Sequence, residues 1–113
     1  MRAKFLSAII LVIVMCTAAC AALPSVTVLM TKKSPECEKM LSVIKQINSQ
    51  YGARISASHL YLEDKPGLAE QYNVRYIPTL IFRDSDGKER ARESGPRTLE
   101  QVLAVFENNG VKY

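Results

Sequence analysis

The sequence predicts one small α/β domain: a four-stranded mixed sheet with three helices on its two faces. Three observations predict it. Apolar, β-branched runs flank a segment of helical periodicity, giving strand–helix–strand. A short crossing helix then leads to strand–strand–helix, and the last two strands meet at an Asp-Gly turn that makes them antiparallel. The first unit demands a right-handed parallel crossover. With 113 residues, the chain has room for one core.

Residues 1–22 read as an export segment and residues 23–113 as the domain. Arg2 and Lys4 precede a mostly aliphatic run from Phe5 to Met15, and small residues follow through Ala22. A basic start, an apolar centre and a small-residue exit are the parts of a secretory signal peptide. An uncleaved membrane anchor is the alternative, because the apolar stretch approaches the ~20 residues that span a bilayer. The exit Thr17-Ala18-Ala19-Cys20 resembles a bacterial lipobox, which implies lipidation at Cys20 and attachment to the cell envelope. Ordinary cleavage after Ala19-Cys20-Ala21 competes with it.

In the domain, Ser25 to Thr31 is rich in Val, Leu and Thr and predicts a buried strand. Cys37, Met40, Leu41, Ile44, Ile47 and Tyr51 then recur at three- and four-residue steps, one apolar stripe of a helix that Gly52 ends. "ARISASHLYL" predicts the second strand through Ile55, Ala57, Leu60 and Leu62. Pro66-Gly67 breaks the chain, and "LAEQYNV" predicts a short helix to about Tyr72. "TLIF", Thr79 to Phe82, is the third strand. Asp84, Asp86 and Gly87 build the turn, and Arg90 to Ser94 is the fourth strand. Thr98 and Gln101 form a capping box for a last helix facing inward through Leu99, Val102, Leu103 and Phe106, with Gly110 past its end.

Composition narrows the function. Of the net charge of +4, Arg2 and Lys4 supply two, and no basic stripe interleaves with aromatics, so nucleic acid is not the expected partner. His59 is the only histidine, so no metal cluster is expected, and no cofactor is called for. Asp84 and Asp86 are turn formers without the further ligands of a calcium loop. With Cys16 and Cys20 in the export segment, Cys37 stands alone in the domain. A lone cysteine of an exported protein pairs with a partner, stays a free thiol, or is buried and inert.

Cys37 closes the stretch Ser34-Pro35-Glu36-Cys37. By itself this is a helix start: Ser caps, Pro suits the first position, and Glu36 and Glu38 suit the positive end of the dipole. The surroundings say more. "YLEDKPGLAEQYNVRYIPTLIF" resembles the thioredoxin family's run from its second core strand through its cis-proline loop. The matches are Pro66, Gly67, Ala69, Tyr72, Arg75, Ile77, Pro78, Thr79 and Leu80. S-P-E-C falls where that family has C-x-x-C, directly after the first core strand. The resemblance implies a thioredoxin-like fold over roughly Ser25 to Gly110, a cis bond at Pro78, and a client-binding face at Tyr76, Ile77, Pro78 and Thr79.

The departures bear on activity. Ser34 replaces the attacking cysteine, Lys33 stands where the family usually has Trp, and Val28 takes the place of a buried Asp. Serine does not attack disulfides at neutral pH, so at most monothiol chemistry at Cys37 remains. The leading expectation is an exported, envelope-attached protein that holds a polypeptide or thiol client. An oxidoreductase using Cys37 with glutathione or a dithiol partner, and a redox-inactive interaction subunit, are the alternatives.

Overall fold

The computed structural model describes residues 22–113; the expected export segment, apart from Ala22, and its Cys20 fall outside them. The element order is β1 (Ser25–Met30), α1 (Pro35–Tyr51), β2 (Ser56–Tyr61), α2 (Leu68–Gln71), β3 (Thr79–Arg83), β4 (Glu89–Ser94) and α3 (Leu99–Asn108). The sheet order is β2-β1-β3-β4. β1 runs parallel to β2 and antiparallel to β3, and β3 runs antiparallel to β4. This is the expected mixed sheet.

Alternation along β1 sorts the core into two layers. Val26, Val28 and Met30, with Leu80 and Phe82 of β3, face α1 and α3 and bury Cys37, Met40, Ile44, Ile47, Val102 and Phe106. Phe82 and Phe106 meet edge-to-face at 5.1 Å between ring centroids. Each such aromatic, fully buried, contributes roughly 1.5–3 kcal/mol over exposure. Leu29 and Ile81 point to the other face, which α2 covers with Leu68. Arg92 donates from Nη1 to the carbonyl of Tyr72, at 2.6 Å, and holds that short helix against β4.

The ends of α3 follow the sequence closely. Thr98 N–H donates to Gln101 Oε1 at 2.9 Å, and Gln101 N–H donates to Thr98 Oγ1 at 3.2 Å. Gly110, at φ +70°, lets its N–H reach the carbonyl of Glu107 and the N–H of Val111 reach that of Phe106. Val111 then packs in the same core as Phe106, completing a Schellman closure.

Gly52 follows the last residue of α1, as expected, and is right-handed, at φ −57°. Its need is space, since a Cβ there would sit 2.4 Å from the carbonyl oxygen of Asn48. Leu62 does not continue β2; it opens a single 3₁₀ turn, Leu62–Asp64. Leu60 also shares no face with Ala57, because the strand period puts residues three apart on opposite sides.

The β3–β4 turn is held by one carboxylate. Asp84 Oδ1 accepts the N–H groups of Asp86 and Lys88, both at 3.0 Å, and Oδ2 lies 3.3 Å from Arg90 Nη1. The Lys88 N–H foremost, then those of Asp86 and Arg90, hold the Asp84 carboxyl below the usual carboxylate range. His59 sits exposed on edge strand β2, as expected for a surface histidine.

Candidate functional site

One end of the sheet brings the predicted residues together. β1 ends at Met30 and passes through Thr31–Ser34 into the first turn of α1. On the neighbouring strand Leu29 pairs with Thr79, so the antiparallel register sets Pro78 beside Met30. The Ile77–Pro78 bond is cis. Across it the Thr79 hydroxyl donates to the Tyr76 carbonyl, and Gly95 N–H donates to the Pro78 carbonyl at 2.8 Å. Gly95 needs its positive φ of 92° to make that approach. Arg97 N–H in turn donates to the thioether of buried Met40 at 3.2 Å, which fastens this loop to α1.

The four residues expected to face a client divide. Tyr76 is 70% exposed and Ile77 37% exposed, whereas Pro78 is buried and Thr79 only 3% exposed. The exposed apolar surface of the loop is therefore that of Tyr76 and Ile77, while Pro78 and Thr79 shape the backbone beneath it. A shallow cleft of about 170 Å³ beside them is lined by Arg75, Tyr76, Thr79, Arg92 and Ser94.

The S-P-E-C turn differs from its sequence reading in one respect. Ser34 occupies the N-cap position with extended φ and ψ of −104° and 128°, but its side chain makes no capping hydrogen bond. The capping role expected of Ser34 is thus unfilled. Pro35 takes the first helical position, and Glu36 and Glu38 lie in the first turn. Cys37 is a free thiol and 1% exposed, on the face of α1 that packs against the sheet. Val28 is fully buried in the same layer, so an apolar side chain fills the place of the family's carboxylate.

A second set of contacts was not foreseen. Lys32 N–H donates to Glu63 Oε2 at 2.7 Å, and Lys32 Nζ lies 2.6 Å from Asp64 Oδ1 and 5.3 Å from the Tyr61 ring centroid. The hydrogen bond to Asp64, then the charge of that carboxylate, hold the Lys32 ammonium above its usual range. Beside Lys32 a cleft of about 180 Å³ is lined by Met30, Thr31, Lys32, Cys37, Glu38, Leu41 and Tyr61. The pairing joins residues more than thirty positions apart. No local spacing announces it; the adjacent Lys32-Lys33 is the only trace in the sequence.

A parallel β–α–β unit, an antiparallel hairpin and a cis-proline beside a helix start define a thioredoxin-like protein. The chain belongs to that family: the model for the thioredoxin-like domain matches residues 15–110. Its fold is that of the thiol–disulfide redox family. Spinach thioredoxin M-type, chloroplastic, is 33% identical over 63 residues, covering 55% of this chain and 35% of the relative. Thioredoxin 1 of Synechococcus elongatus is 30% identical over 63 residues, covering 55% of this chain and 59% of the relative. The matches thus span between about a third and three-fifths of these curated relatives' length. A solved structure described as that of a malarial protein aligns with TM-score 0.71 at 20% identity, covering 79% of this chain and 99% of that one. It shows the shared fold.

Proposed function

We propose that this is an exported, envelope-attached thioredoxin-fold protein that holds an extended polypeptide or thiol client against Tyr76 and Ile77, with at most monothiol chemistry at Cys37. The observation that carries the reading is a contrast at one end of the sheet. The two apolar side chains beside cis-Pro78 are exposed, while the thiol is buried and its usual partner position holds Ser34. Surface of this kind, on a preformed backbone shelf, favours an extended chain. Thiol–disulfide cycling needs a second sulfur, which S-P-E-C does not supply. Export and attachment through Cys20 rest on the N-terminal sequence alone.

The cleft lined by Cys37 favours a second reading, in which glutathione or a dithiol partner meets this one thiol. Two measurements test the proposal. The purified protein should reduce insulin with dithiothreitol no faster than the uncatalysed control. It should also bind the reduced, alkylated insulin B chain, less tightly after Tyr76→Ala with Ile77→Ala. A rate near that of a true thioredoxin overturns the one-thiol reading, and binding indifferent to the two substitutions overturns the groove.

A further inference from the structure

We propose that Lys32 is a latch over Cys37: its contacts with Glu63, Asp64 and Tyr61 close the cleft that reaches the thiol, and their release opens Cys37 from the β2 side. The inference rests on the second reading above, in which a thiol partner meets Cys37, and adds the route and the control. β1 lies between β2 and β3 in the sheet, so Tyr61 on β2 and Pro78 before β3 flank it from opposite sides. Two approaches to the first turn of α1 are therefore distinct. The cleft bounded by Lys32 and Tyr61 is the one that Cys37 lines; the cleft at the cis-proline loop does not include it.

The latch is built to open. Lys32 and Asp64 are 54% and 56% exposed, so their attraction is screened by water and salt. The backbone bond from Lys32 to Glu63 fixes the loop between β1 and α1 against the 3₁₀ turn after β2. Both are local surface contacts. Breaking them moves a loop without unpacking the core, an opening of low cost beside global unfolding.

The test is alkylation of the native full-length chain with iodoacetamide, which is small and uncharged. The Cys37 sulfur bonds to carbon, iodide leaves, and the thiol proton passes to buffer. Mass measurement of the tryptic peptide Ser34–Lys39 reports Cys37 alone. Lys32→Ala and Asp64→Asn should each raise the rate roughly two- to fivefold, the span expected from losing one exposed ion pair. About 1 M NaCl should speed the wild type and leave Lys32→Ala unchanged. Tyr76→Ala should have no effect.

Lys32→Ala separates the latch from simple electrostatics, because removing a nearby cation disfavours the thiolate and by itself would slow the reaction. A slower or unchanged rate in Lys32→Ala, or acceleration by Tyr76→Ala, overturns the latch. A Cys37 that reacts in none of the variants until the chain is unfolded also overturns it. Client binding at Tyr76 and Ile77, measured with the insulin chain, is untouched by that outcome.

Discussion

Replacing Ser34 with cysteine asks whether S-P-E-C is a silenced redox turn or only a helix start. Ser34 is the N-cap and Cys37 the third helical residue. The two positions lie one helical turn apart, so sulfurs placed there can reach one another across the first turn. A Ser cap normally contributes about 0.5–2 kcal/mol, but Ser34 makes no capping bond, so the reduced variant should lose almost nothing. Closing a loop of about four residues restricts the unfolded chain by roughly 1.9 kcal/mol on the chain-entropy relation. Oxidised Ser34→Cys should therefore exceed its reduced form by about that amount, less any strain in the bridge. Urea unfolding with and without dithiothreitol reads the gap, and a titration of the two thiols in glutathione buffers reads their potential. Failure to form an internal disulfide under oxidising conditions would refute the redox ancestry of the turn. A reduced variant destabilised by more than about 1 kcal/mol would refute the idle cap.

Cys20→Ala should release the protein from membranes or block its processing, and an unmodified mature N-terminus at Ala21 or Ala22 by mass spectrometry would refute lipidation. Asp84→Asn should lower the melting temperature at pH 7. Because the folded Asp84 carboxyl titrates below its unfolded value, its contribution is complete above the ordinary carboxylate range of about 4 and fades as pH falls through it. The difference between wild type and variant should accordingly shrink below pH ~4, and a gap that stays constant down to pH ~2 would show that the ionised form is not what matters.

The parts of the fold legible in the sequence are those set by local chemistry. Thr98 and Gln101 specify their cap at three residues' separation, and Asp84 with Gly87 specifies its turn. The stripe from Cys37 to Ile47 is buried as its spacing requires. The cis bond at Pro78 was legible only through resemblance, since a bare Ile-Pro pair carries no such signal. Misreadings arose where tertiary contacts decide. Ser34 has the right residue type for a cap, yet backbone and loop geometry leave its hydroxyl unused. The Lys32 contacts depend on β1 and β2 lying side by side, which no window along the chain contains.

The bond from Arg97 N–H to the Met40 sulfur bears on how this domain would age in oxidising surroundings. Met40 is 1% exposed, and its thioether joins α1 to the loop whose Gly95 supports cis-Pro78. A sulfoxide at that point puts a polar oxygen into the apolar core, so the damage would spread as displacement of helix and loop rather than stay at the sulfur. Methionine sulfoxide at Met40 is then a lesion that would reach the cis-Pro78 loop. Burial protects the sulfur from that fate for as long as the helix stays docked.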